Sequence, residues 1–321
     1  MENGGAPSIL LTGGTGTFGE AAARLLLSSD GGKIIIFSRD EQKQDLMRRR
    51  LDDPDGRLRF FVGDVRDEGR LMLALRGVDA VIHAAAMKIV PACEHDPSEA
   101  VKTNILGTQN VVTAALRSGV RRVVGLSTDK AVSPANLYGA TKLAAEKLIV
   151  AANNLSGGET RFSAVRYGNV AASRGSVIPL WTELASRGEE LPITDERMTR
   201  FWLSPQDAAQ FVMGALDAQQ GGEVFIPKMP SFRVIDLAAA IWGGDDFPRR
   251  IIGIRPGEKL HEDLVTRHEA LNVAQNERAY VICPPWMAPS EPPPEGFHLT
   301  SETNEPRLST EDLGALLRDP A

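Results

Sequence analysis

The chain has 321 residues, 42% hydrophobic and 24% charged, enough for one large domain or two ordinary ones around a real core. Its net charge of −6 argues against a sequence-independent nucleic-acid binder, which needs an excess of Lys and Arg. No apolar run reaches the roughly 18 residues of a membrane span, and the opening Met1-Glu2-Asn3-Gly4-Gly5-Ala6-Pro7 lacks the basic and apolar regions of a signal peptide, so a cytoplasmic protein without membrane partners is expected.

In chain order, short apolar runs alternate with helical patterns. Residues 9–12 read as a strand and 18–28 as a helix, then 33–37 as a strand and 40–51 as a charged helix. Strands at 59–62, 80–83, 122–126 and 162–166 alternate with helices at 68–75, 97–118 and 137–153. Unbroken apolar strands in this rhythm predict an α/β fold, a Rossmann-like doubly wound parallel sheet covered by helices on both faces. After Tyr167 the rhythm breaks into helices at 177–186, 205–218 and 234–242, separated by loops rich in Gly, Pro and Arg. The expected division is a cofactor domain over 1–167, a smaller, mainly substrate-binding domain over 168–282 with some segments returning to the main sheet, and a Pro-rich strap or tail from Cys283 to 321. The two cysteines, Cys93 and Cys283, make neither a disulfide framework nor a four-thiolate site, and no metal is expected.

Leu10-Leu11-Thr12-Gly13-Gly14-Thr15-Gly16-Thr17-Phe18-Gly19 joins the first strand to the first helix. Glycines let a backbone approach a pyrophosphate closely, and a helix N-terminus presents N–H groups and a positive dipole end to it. Gly13, Thr15, Gly16, Thr17, Phe18 and Gly19 are therefore expected to bind a dinucleotide. The second strand ends in Phe37-Ser38-Arg39-Asp40, followed by Gln42 and Lys43. Ser38 stands where an NAD enzyme usually places an acid, while Arg39 can grip a 2′-phosphate and Lys43 adds charge, so NADP is the expected cofactor. The competing reading makes Arg39 a sheet-edge cap and Asp40 the ribose ligand. Asp64, with Val65 beside it, suits an adenine contact, and the small Ala84, Ala85 and Ala86 let backbone lie against a flat cofactor. His83 reads as structural rather than catalytic.

Tyr138 and Lys142 lie at i and i+4 on one helix face. A neighbouring Lys⁺, with a cationic nicotinamide, would favour the phenolate, which could take a proton from a sugar hydroxyl as hydride leaves. Ser127-Thr128-Asp129-Lys130 ends strand five, where a doubly wound sheet places its ligands.

With these motifs in view, the chain resembles an extended short-chain dehydrogenase/reductase. More narrowly, it resembles the configuration-inverting UDP-N-acetylglucosamine 4,6-dehydratases of the pseudaminic-acid pathway type. The similarity rests on the segments above together with Arg166-Tyr167-Gly168-Asn169-Val170, Ile193-Thr194-Asp195-Glu196-Arg197-Met198-Thr199-Arg200-Phe201-Trp202 and Ile252-Gly253-Ile254-Arg255-Pro256-Gly257-Glu258-Lys259. It runs from about residue 8 to 265. The resemblance implies that Tyr138 takes the C4 hydroxyl proton as NADP⁺ takes the hydride, with Thr128 holding the C4 oxygen. The ketone then acidifies C5–H, Lys130 removes that proton, Asp129 protonates the departing C6 hydroxyl, and hydride returns to C6. C5 protonation from the opposite face completes the inversion. For Lys130 to act as a base, its pKa should be depressed by desolvation and positive neighbours. The resemblance also implies a UDP-sugar substrate and a homo-oligomer, with Lys88 approaching the sugar or the cofactor; Asn169 and Arg174 can hold a hexosamine and a diphosphate, and Arg255 and Glu258 suit diphosphate and uridine ribose. Arg197 and Arg200 are open between ligand roles and pairing with Asp195 and Glu196. Two other readings stand beside this one: a retaining dehydratase or C4 epimerase, and an NADP-sensing regulator on the same fold.

Overall fold

The structure is a computed structural model and describes residues 6–171, 173 and 176–318. Its first half runs β1 (Ile9–Thr12), α1 (Thr17–Leu27), β2 (Ile34–Ser38), α2 (Glu41–Arg50), β3 (Leu58–Val62), α3 (Glu68–Ala74) and β4 (Ala80–His83). Then come α4 (Val90–His95), α5 (Pro97–Ala100), a π-helical turn Val101–Leu106, α6 (Gly107–Arg117), β5 (Arg122–Thr128), α7 (Leu137–Ala151) and β6 (Arg161–Tyr167). The second half is β7 (Asn169–Val170), α8 (Val177–Ser186), β8 (Leu191–Ile193), β9 (Thr199–Leu203), α9 (Pro205–Ala218), β10 (Val224–Pro227), β11 (Ser231–Arg233) and α10 (Val234–Trp242). It closes with β12 (Arg249–Ile251), β13 (Asp263–Val265), β14 (Val273–Gln275), β15 (Ala279–Ile282), β16 (Leu299–Thr300) and α11 (Thr310–Arg318).

The main sheet has nine strands in the order β14-β15-β10-β6-β5-β4-β1-β2-β3. From β3 to β10 every pairing is parallel, and β15 and β14 then add antiparallel. Strand side chains alternate between faces. Ile9 and Leu11 therefore pack toward α1 and α9 with Ala22, Leu26, Ala208 and Val212. Leu10 and Val81 pack toward α3, α6 and α7 with Leu71, Val111 and Ile149. This double burial is why β1 and β2 are apolar at nearly every position. Each fully buried Leu or Ile contributes about 1.5–3 kcal/mol.

A third core lies outside this sheet. Trp181, Leu191, Ile193, Trp202, Phe232, Leu237, Phe247 and Leu313 close it among α8, β8, β9, β11, α10 and α11. The last of these, α11, packs on α10. It has no counterpart in the pattern read from the sequence, where prolines dominate the neighbouring residues. After the Pro-rich stretch, β16 pairs antiparallel with β13, tying the chain back beside the Arg255–Glu262 segment.

The helix expected at 97–118 is not one regular helix. Its N-terminal part is α5 and the π turn, and α4 precedes it. Asp96 breaks the run because Pro97 cannot donate a backbone hydrogen bond. The wide turn carries Asn104 inward, where its side-chain amide donates to Met87 O (2.9 Å) and Thr141 Oγ1 (2.9 Å) while Oδ1 accepts from Met87 N (2.8 Å). The loop after β4 is thereby fixed against α7.

Candidate active site

One cleft of about 690 Å³ runs along the C-terminal ends of the parallel strands. Gly13, Thr15, Gly16, Thr17, Phe18, Gly19, Ser38, Arg39, Lys43, Asp64, Val65, Ala84, Ala85 and Ala86 all line it. The sequence-expected cofactor residues thus converge on one wall. Gly13 has φ +63°, and a Cβ there would come within 2.9 Å of Ala85 N and Cα. Only glycine lets the turn lie this close to the loop after β4. The first turn of α1 borders the same space, the position in which a helix end attracts a pyrophosphate.

At the β2 end, Ser38 is buried and its Oγ accepts from Gln44 Nε2 at 3.0 Å. Asp40 caps α2, accepting from Lys43 N at 2.9 Å and pairing with Lys43 Nζ at 2.9 Å. Its carboxylate is therefore committed to the helix. Arg39 is mostly exposed at the cleft edge, 3.7 Å from Asp64 Oδ2. The Asp64 carboxylate is gripped by Arg66 at 2.6 and 3.0 Å. Burial opposes its ionisation, but these Arg66 hydrogen bonds outweigh it and lower its pKa.

His83 is structural, as expected. It is 2% exposed, with Nδ1 2.7 Å from Thr12 Oγ1 and Nε2 3.0 Å from Thr108 Oγ1. Burial, aided by Lys142, pushes its pKa from 6.5 down to about 3. The folded state thus keeps His83 neutral where the unfolded chain would bind a proton. Its stabilising contribution is complete above pH 6.5 and is lost as pH falls from 6.5 toward 3. We expect unfolding free energy to fall between about pH 6.5 and 5 and His83→Asn to flatten that slope, as read from urea melts across pH. An unchanged slope in the variant would assign it to other groups.

The catalytic candidates sit at the cleft floor. Asn136 caps α7, its Oδ1 accepting from Gly139 N at 2.8 Å. A Cβ at Gly139 would overlap Lys130 O, so glycine is what lets the first turn of α7 pack beneath the Asp129–Ala131 turn. Thr128, Lys130, Tyr138 and Lys142 line the cleft, while Asp129 lies fully buried behind it. Tyr138 lines the cleft with Thr128, whose side chain favours the ionised phenol. The Thr128 hydroxyl donates to Asp129 Oδ1 (2.9 Å), which also accepts from Lys130 Nζ (3.0 Å).

Two electrostatic expectations are corrected. Burial pushes the Tyr138 phenol up to about 12; the cation that partly offsets this is Lys130, not Lys142. Lys142 instead donates to Leu126 O at 2.6 Å, and burial brings its pKa down to about 8 against the pull of Glu146. Lys130 is not depressed. Burial does disfavour its charge, but Asp129 and Glu262 outweigh that and raise its pKa. Glu262, at 3.3 Å from Lys130 Nζ, is the residue that the sequence reading missed. Its surroundings in sequence look like an ordinary charged loop, and only the fold brings β13 beside the Asp129–Ala131 turn.

Toward the substrate end, Lys88, Asn169 and Arg255 line the cleft. Desolvation and the Lys130 charge lower the pKa of Lys88, although the residue as a whole is exposed. Glu258 faces an adjoining cavity of about 40 Å³, with Lys130, Arg200 and Glu262 on its walls, and pairs with Arg255 at 3.6 Å. The segment is tied to α7 by Asn136 Nδ2 donating to Gly257 O at 2.7 Å. Arg174 lies outside the described residues. Arg197 pairs with Asp195 at 2.8 Å, and Arg249 rather than Arg200 takes Glu196. Arg200 donates to Thr199 O, Leu260 O and Lys259 O.

Residues 9–284 match the family described as polysaccharide biosynthesis protein. The inverting UDP-N-acetylglucosamine 4,6-dehydratase of Campylobacter jejuni is 52% identical over 280 residues, covering 86% of this chain and 83% of that protein. A UDP-glucose 4-epimerase of Rickettsia akari is 46% identical over 269 residues, covering 82% and 78%. The X-ray structure of Pen from Bacillus thuringiensis has a TM-score of 0.91 at 36% identity, covering 99% of this chain and 98% of that one. The chain belongs to the polysaccharide biosynthesis protein family, as an extended short-chain dehydrogenase/reductase with the doubly wound sheet described above.

Proposed function

We propose that this protein is an inverting UDP-N-acetylglucosamine 4,6-dehydratase using NADP. The observation that carries this reading is the hydrogen-bonded set Thr128–Asp129–Lys130, with Thr128 and Lys130 lining the same cleft as Tyr138. A C4 epimerase, the activity named for the Rickettsia relative, needs a base at O4 but no acid–base pair reaching C5 and C6. The Asp129–Lys130 pair supplies that second function.

The glycine cradle and the Arg39–Lys43 edge fit a dinucleotide phosphate. A nicotinamide held there would supply the acceptor for the C4 hydride and the donor that returns it to C6. Tyr138 takes the O4 proton, and Thr128 holds O4. One proton shifting along the 3.0 Å Lys130–Asp129 bond turns ammonium and carboxylate into amine and carboxylic acid, the two forms that elimination needs. Lys130 then takes the C5 proton while Asp129 protonates O6, so that water leaves and a C5–C6 double bond forms. Lys88, Asn169 and Arg255 hold the sugar diphosphate, with Glu258 orienting Arg255; Arg174 is a further candidate by sequence. We also read the protein as a cytoplasmic homo-oligomer. No helix among the described residues is long and apolar enough to cross a membrane.

Incubation with UDP-N-acetylglucosamine in heavy water, followed by NMR, tests the reading. A 6-deoxy-4-keto product with deuterium at an inverted C5 supports it, and a product retaining its C6 hydroxymethyl rejects it. For the cofactor, Arg39→Ala should weaken NADP binding by about ten-fold or more and leave NAD binding nearly unchanged, as read by fluorescence titration. Tighter binding of NAD than NADP by the wild type would remove that assignment.

A further inference from the structure

Lys130 lies between two acids, with Asp129 Oδ1 at 3.0 Å and Glu262 Oε1 at 3.3 Å from Nζ. Glu262 is 2% exposed, and its Oε2 is buried without a hydrogen-bond partner among the described residues, as is Asp129 Oδ2. Half-satisfied buried carboxylates are costly to fold around, so their retention beside the substrate end points to a use in the reaction. Glu262 is held firmly: its N–H donates to Ser301 Oγ at 2.9 Å and its carbonyl accepts from Ser301 N at 2.8 Å. Arg200 Nε lies 3.9 Å from Glu262, while Glu258 and Lys259 face the same small cavity. Lys88 and Tyr138 face Lys130 from the cleft side.

We propose that Glu262 is a positioning residue: as a second carboxylate beside Asp129 it fixes the Lys130 ammonium at the substrate end of the cleft and sets how readily Lys130 releases its proton. The inference rests on Lys130 as the proton carrier at C5. During elimination the C5–H bond breaks, its proton forms an N–H bond on the Lys130 amine, and its electron pair becomes the C5–C6 double bond as the C6–O bond breaks. The arriving ammonium is stabilised by Glu262 Oε1, 3.3 Å from Nζ.

Competitive trace acetylation of the full chain tests this without substrate, because only the neutral amine reacts. The exposed Lys147 on α7 is the internal reference. In Glu262→Gln, Lys130 acetylation at mildly alkaline pH should rise about ten-fold or more over wild type, a downward shift of its midpoint by about one pH unit or more. Glu262→Asp, which restores a drawn-back carboxylate, should fall between. Equal Lys130 reactivity in all three proteins overturns the proposal. Where Glu262→Gln does not fold, Glu262→Asp decides alone: a few-fold rise supports it, and wild-type reactivity overturns it. With UDP-N-acetylglucosamine, the rising limb of C5 exchange against pH should move down by the same shift in the variant, and an unmoved limb also counts against Glu262. A wild type that labels as expected yet yields no dehydrated product would instead reject the functional reading.

Discussion

Tyr138→Phe is expected to lower kcat by about 10²–10⁴ while leaving NADP affinity and melting temperature near wild type. In the proposed reaction the phenol takes the O4 proton, and Thr128 keeps its hydrogen bond to Asp129 when the hydroxyl is gone. Burial lifts the phenol to about 12. The Lys130 charge offsets part of that, and a cationic nicotinamide beside the ring adds to the offset, so oxidation should begin only in the ternary complex. Single-turnover absorbance of the reduced nicotinamide reads this step directly. A Phe variant within about ten-fold of wild type would take the phenol out of the chemistry.

The largest expected loss of stability is at Arg166, which is 1% exposed on β6. Its guanidinium donates to Glu146 at 2.6 and 3.1 Å, to Glu269 at 2.9 Å and to Leu264 O at 2.8 Å. Glu146 in turn accepts from Ser127 Oγ at 2.6 Å. This network bolts α7, the end of β5 and the segment after β13 together directly beneath the Thr128–Lys130 turn. Arg166→Met leaves Glu146 buried and unpaired, which should cost about 3–5 kcal/mol in urea unfolding. Arg166 also overcomes the burial of Glu269 and lowers its pKa. A depressed acid stabilises the fold above its unfolded pKa and loses that effect as pH falls through the folded value. The variant should therefore lose less stability than wild type on acidification. A cost below about 1 kcal/mol would show that the network is not holding these elements.

The dinucleotide wall was legible because its residues are local. A strand, a glycine turn and a helix follow one another in sequence, and the strand ends at Ser38, Asp64 and Ala84 fall at predictable points of the βα rhythm. Tyr138 and Lys142 were legible from helix periodicity. Their electrostatics were not, because Lys130 is paired not only with its neighbour Asp129 but with Glu262, which directly precedes β13 more than a hundred residues away. Asn104 was hidden for a related reason: the π turn that aims it at Met87 depends on tertiary packing rather than on a local signature. Arg166 read as part of a strand end, and its buried partners are distributed over α7 and the segment after β13.

The proposed dehydration requires hydride to leave C4 and return to C6 within one active site. UDP-N-acetylglucosamine carrying deuterium at C4 reports on this in a single turnover with unlabelled NADP⁺. The deuterium should appear in the C6 methyl group of the 4-keto product. Deuterium found back at C4 of an epimerised sugar, or left on released cofactor, would rule out transfer from C4 to C6.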